Sequence, residues 1–288
     1  MTIAQLIQVT LIASIFLMVF TLGLDAGWED AIWLFRRPGL LVRSILSMNV
    51  VMVLFAVEIV RLFDVAPAIK IALVALALSP VPPIFPKKMS KSGGTDAYAI
   101  GLVVAASLFA VILIPCWLLI LGNHYGFEAD LGLRRIVPTI LISILIPLFL
   151  GIAIGKFAPT FAAGAVKPVS VVAMVLLVAG LIPVFFTAAA DMWAELGNGV
   201  IWELVLFSVV GIIVGHLLGG PDPDDRCVLA LATSARHPGI ALAIASLNFP
   251  EHKKEVMVVV LYHLLVGAIV AIPYVRWRAK RRAELAAV

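Results

Sequence analysis

Ser79-Pro80-Val81-Pro82-Pro83-Ile84-Phe85-Pro86 and Ala235-Arg236-His237-Pro238-Gly239 each interrupt an apolar stretch of membrane-spanning length. Proline offers no backbone N–H and its ring clashes with the preceding turn, so a regular helix does not continue through either stretch. An unpaired backbone group in hydrocarbon costs several kcal/mol, and non-helical chain at that depth survives only against protein or a water-filled cavity. A pair of such breaks is the sequence pointer to a transporter's binding site.

Composition agrees with that setting. The chain of 288 residues is 63% hydrophobic and 13% charged, with a mean hydropathy of +1.13. These values exclude an ordinary soluble domain and imply an all-α integral membrane protein. A bilayer core of about 30 Å needs about 20 apolar residues per helix. By that measure about nine spans are expected, at 3–24, 40–63, 67–94 (broken), 95–121, 133–154, 168–190, 198–219, 224–249 (broken) and 256–275. The first is read as a retained helix, because Met1 to Leu24 has no basic leader or small-residue cleavage site. Cys116 and Cys227 fall near opposite ends of their spans, which argues against a disulfide or a metal site built on them.

Net charge of +4 is a topology signal. With the basic tail Arg276, Arg278, Lys280, Arg281 and Arg282 on the cytoplasmic side, nine more cations share it: Arg36, Arg37, Arg43, Lys87, Lys88, Lys91, Lys156, Lys167 and Arg226. Arg61, Lys70, Arg134, Arg135, Lys253 and Lys254 face the other side. The majority places the N-terminus outside and the C-terminus in the cytoplasm of a multi-pass protein of the cell membrane. Between the first two spans, Trp28, Ile32, Trp33 and Phe35 alternate with charged residues and predict a short interfacial helix with an aromatic face at headgroup level.

The two broken spans are five spans apart, the offset expected of inverted repeats (4+5) in which the first, about 1–122, lacks an opening helix and the second covers about 130–280. The whole chain, 1–288, then forms a single transporter domain. Crossed half-helices present free backbone groups and a partial positive charge at each N-terminal end, which suits an anionic or polar substrate. The candidate substrate-binding residues are Ser79, Pro80, Pro82, Pro83, Lys87, Lys88, Asn49, Thr233, Ser234, Arg236, His237, Pro238 and His263. Ser79, Thr233, Ser234 and Asn49 either bind substrate or satisfy freed backbone groups. Lys87, Lys88 and Lys91 either form a basic patch for a carboxylate or sulfonate or obey the positive-inside rule. Arg236, costly at membrane depth, either serves the site, forms an internal ion pair or caps half-helix carbonyls. His263 either packs through hydrogen bonds or lines the cavity, and Glu58 and Glu203 pair with arginine or face a vestibule.

The run Val19-Phe20-Thr21-Leu22-Gly23-Leu24, then Trp28-Glu29-Asp30 and Arg36-Arg37-Pro38, resembles the opening pattern of the bile acid:sodium symporter family. The resemblance extends through both breaks to Tyr262-His263-Leu264-Leu265-Val266-Gly267. It implies a panel domain and a core domain of inverted repeats, with two crossed discontinuous helices forming the site. The departures fall on that family's ion-binding positions. Where its cysteine-proline-glycine-glycine-threonine-alanine-serine-asparagine run would stand, this chain has Ser79 to Pro86. The family's glutamate aligns with Thr233, its glutamines with His237 and Met48, and its asparagine with Pro238. Oxygen ligands for a hard cation have become methyl, aryl and imidazole groups, with Phe85 and Pro86 in the places of the family's serine and asparagine. The expectation is a sodium-independent transporter of a small or amphipathic organic anion, with proton coupling through His237 or His263 as one driving force. The alternatives are a sodium-coupled organic anion symporter of the same family and a non-transporting membrane ligand sensor.

No catalytic residue, cofactor or metal is called for. Pro221-Asp222-Pro223-Asp224-Asp225 is the one acidic cluster that might suit a divalent ion, and its plainer role is a turn into the eighth span. The expected partners are the anion and the lipid bilayer; nucleic acid is not implied.

Overall fold

The computed structural model describes residues 3–82, 85, 95–127, 133–195 and 199–286, and these are helical apart from short connections. In chain order the helices are α1 (Ile3–Asp25), α2 (Trp28–Ile32), α3 (Pro38–Leu62), α4 (Pro67–Leu78), α5 (Asp96–Tyr125), α6 (133–157), α7 (Pro159–Glu195), α8 (Val200–Leu218), α9 (Pro223–Ser234), α10 (Pro238–Asn248) and α11 (Lys253–Ala286). Pro38, Pro67, Pro223 and Pro238 each open a helix, where the missing N–H costs nothing.

Among the described residues eight segments are long and apolar enough to cross a membrane, with α9 and α10 together making one of them. The third expected span appears as α4 and the start of its break. Its second half, with Pro83, Lys87, Lys88 and Lys91, lies outside the described residues.

The helices pack in two groups. In one, α1 lies along both α6 and α7. A Cβ on Gly23 would fall 2.2 Å from Leu148 O, and one on Gly151 2.4 Å from Phe20 O, so the α1 and α6 backbones touch directly. The other group holds α3, α4, α5, α8, α9, α10 and α11, and the main buried core lies among them and takes in Ile140, Ile144 and Leu145 of α6 and Met192 of α7. There Gly211, Gly215 and Gly219 form a stripe of four-residue spacing on α8. A Cβ on Gly215 would lie 2.4 Å from Leu229 O, which brings α9 flush against α8. Only 11% of the most apolar window of α7 is buried, so α7 gives the first group its lipid-facing side.

Two helices are locally widened. In α3 the N–H of Met52 reaches back five residues to Ser47 O, and in α6 that of Ile146 reaches Leu141 O. Such single π turns release carbonyls from the regular ladder. The acidic turn caps α9: Asp222 accepts from the Asp224 and Asp225 N–H groups, Asp225 accepts from Thr95, and Arg278 and Arg282 sit 3.6 and 3.7 Å from Asp224.

Three expectations change in detail. The sixth span runs over Pro159–Glu195 and absorbs Pro168 and Pro183, and the last continues through the basic tail to Ala286. The interfacial segment is one helical turn followed by turns, and its aromatic residues divide. Trp28 is exposed against Phe149, whereas Trp33 stacks on Tyr98 at 5.5 Å with the Arg37 guanidinium on its ring. Stacking on the core wins over the headgroup for Trp33 because Leu34 and Asp30 press directly on Gly101 of α5. Finally, Glu203 is buried beside Gly199, while Glu58 is exposed and 3.9 Å from Arg61.

Candidate functional site

The second break is a short extended segment between two half-helices, and the first leaves its half-helix in the same extended way. α4 ends where Ser79 turns to φ −73°, ψ 146°, and α9 ends where Ala235 adopts φ −89°, ψ 135°. Serine softens both ends: Ser79 Oγ donates to Leu76 O at 2.8 Å and Ser234 Oγ to Leu231 O at 3.1 Å.

The two segments meet. The His237 N–H donates to Pro80 O at 2.9 Å and lies 3.1 Å from Ser79 Oγ, joining segments 157 residues apart. Backbone groups that the prolines strip of helical partners thus find one another at the crossing. His237 also caps α10, its Nδ1 accepting from the Ile240 N–H at 3.4 Å.

Arg236 pins the crossing to a third helix. One guanidinium nitrogen donates to Ser79 O at 3.2 Å and another to Met48 O at 2.9 Å, a carbonyl in the widened turn of α3. The next carbonyl of that turn, Asn49 O, accepts from Trp117 Nε1 at 2.8 Å. Arg236 is 1% exposed, and no carboxylate pairs with it among the described residues. Its Cζ sits 6.0 Å from the centre of the Phe207 ring, whose other neighbour is His263 at 5.7 Å, edge to face. A second link between α3 and α9 is the 2.7 Å hydrogen bond of Ser47 and Thr233 hydroxyls.

Ser79, Pro80, Thr233, Ser234, Arg236 and His237 therefore gather at the crossing, with Asn49 beside it on α3; Pro82 and Pro238 flank it, and His263 lies next to Phe207. Pro83, Lys87 and Lys88 lie outside the described residues. Asn49, His237 and His263 are buried, and their Oδ1, Nε2 and Nδ1 have no hydrogen-bond partner among the described residues. Sequence reasoning missed three contributors: Ser47, Trp117 and Phe207. Only tertiary contact marks them, since each reads as an ordinary membrane-helix residue.

A multi-pass, all-helical membrane protein in which two proline-containing breaks in apolar helices hydrogen-bond to each other inside the protein has the architecture of a transporter. The model of the sodium bile acid symporter family matches residues 12–195, and the chain belongs to that family of membrane transporters. No curated protein matches the sequence. The family match ends at Glu195, the last residue of α7, so the second break and its contacts with the first are an independent observation.

Proposed function

We propose that this chain is a secondary transporter that moves a small or amphipathic organic anion by alternating access at the helix crossing, without the sodium sites of its family. The observation that carries the reading is the direct bond from the His237 N–H to Pro80 O, which joins the two breaks inside the protein. The anion class is favoured by the N-terminal end of α10 and by the lysines at 87 and 88. Loss of sodium coupling is favoured by Met48, Thr233 and His237, which offer thioether, hydroxyl and imidazole groups where the family places amide and carboxylate oxygens. Protons are the coupling ion we favour, with His237 and His263 as buried, titratable carriers.

Two inverted repeats would relate the breaks, with α1, α6 and α7 as the panel against which the other helices move. For orientation, Arg43 beside Gly220, Arg226 on α9 and Arg278 against Asp224 collect at one end, and the positive-inside rule makes that end cytoplasmic. Uptake of labelled carboxylates and sulfonates into proteoliposomes, with sodium and proton gradients imposed separately, tests the reading. Saturable uptake that follows the proton gradient and ignores sodium is expected. Accumulation driven by a sodium gradient overturns the coupling, and binding without exchange across the bilayer identifies a sensor instead.

A further inference from the structure

We propose that Arg236 is the resident cation of the helix crossing, a tethered guanidinium filling the electronegative pocket where a dissociable metal cation would otherwise have to bind. The inference rests on the transporter reading only for the meaning of the crossing; its physical content comes from three carbonyl-bearing elements.

α4 and α9 both end at the crossing, and a helix C-terminus carries about half a negative elementary charge on its unpaired carbonyls. Two such ends in one low-dielectric place carry about one negative charge; the N-terminus of α10 offsets about half of it, and the remainder calls for a cation. A third helix adds Met48 O, in the π turn of α3. Arg236 sits between them, donating to Ser79 O of the first break and to Met48 O, from within the second break. No carboxylate among the described residues balances it, so backbone dipoles are its counter-charge. The Phe207 ring adds its π face.

The planar fork suits this role because it reaches carbonyls of two different helices at once, which a point-charge ammonium does less well. A free ion in the same pocket would have to load and leave on every cycle and would couple transport to its own gradient. A covalently attached cation does neither. The crossing is thereby assembled before substrate arrives, and its charge moves only with the protein.

Thermal melting of the purified protein in detergent tests this. The native chain is expected to melt at the same temperature in sodium chloride and choline chloride, and to ignore millimolar methylguanidinium. Arg236→Ala is expected to melt several degrees lower and to recover part of that loss in methylguanidinium chloride but not in tetramethylammonium chloride, which has no N–H donor. Arg236→Gln, which keeps one N–H-bearing nitrogen and no charge, takes the same test if the alanine variant does not fold. Stabilisation of the native chain by sodium overturns the proposal. So does an Arg236 variant that melts with the native chain, or one that is lowered and not rescued. No substrate enters this readout, so its failure leaves the transporter reading standing. Absent flux with the cation behaviour intact would remove the transporter reading alone.

Discussion

The hydroxyl pair Ser47–Thr233 is a small term with a clear signature. Its 2.7 Å bond joins α3 to α9 in a fully buried place. Interhelical hydrogen bonds in membrane proteins average about 0.6 kcal/mol, reaching about 1.7 at most. Thr233→Val keeps the shape and removes the partner, so a loss of about 1 kcal/mol is expected, or a few degrees in the melting temperature. The double variant Ser47→Ala, Thr233→Val should lose less than the sum of the single variants, because both act on one bond. A double-mutant cycle by thermal melting in detergent checks this; strict additivity would mean that the two hydroxyls do not depend on each other. Arg236 belongs to the same scale. The sequence offers a cap on half-helix carbonyls as one of three roles for a charge at that position, beside an internal ion pair and a part in the site. That Met48 of the unbroken helix α3 supplies a further carbonyl was not legible, because a π turn follows from tertiary contact and leaves no mark in Leu46-Ser47-Met48-Asn49.

At the scale of elements, the α8–α9 pair shows how much rests on absent side chains. A methyl on Gly215 meets Leu229 O and Ala230 Cα at 2.4 and 2.5 Å, and these are backbone atoms that cannot swing away. Gly215→Ala must therefore push α9 off α8, at about 1–3 kcal/mol for overpacking, and it would displace the half-helix that ends at the crossing. Gly39, in the first turn of α3, has nothing within 4 Å of its missing Cβ. Gly39→Ala is expected to be neutral or to stabilise by up to about 1 kcal/mol, through a less flexible unfolded chain. Melting temperatures of the two variants should move in opposite directions or differ by several degrees; equal shifts would show that α8 and α9 have room to part. The four-residue glycine spacing is readable in sequence, as are proline-opened helices and the Asp222 cap. Which helix the stripe meets is not, since small-residue faces carry no address. The extra length of α7 and α11 escaped the apolar ruler for a related reason: both helices continue beyond their most apolar stretches, and Pro168 and Pro183 are absorbed within α7.

For the whole molecule, the test of alternating access is whether the two helix groups must move past each other. They meet where α6 packs on α5 and α10 and where α7 meets α11, and at the latter contact the Tyr262 hydroxyl donates to Met192 O. Within the first group, α1 and α6 are in backbone contact at Gly23 and Gly151, so that group is expected to move as one body. In the second, hydrogen bonds tie α3, α9 and the two breaks together, so the crossing is expected to travel intact. Cross-linking Met192→Cys to Tyr262→Cys with a short, reducible bifunctional reagent bridges the two bodies. Cys116 is exposed and is replaced by serine to keep the chemistry at one place. If access alternates by relative motion, cross-linked protein loses counterflow in proteoliposomes while still binding substrate from one side, and reduction restores the flux. Full flux in the cross-linked state would place the moving boundary elsewhere, because a bond across the α7–α11 contact leaves no freedom for these two helices to slide.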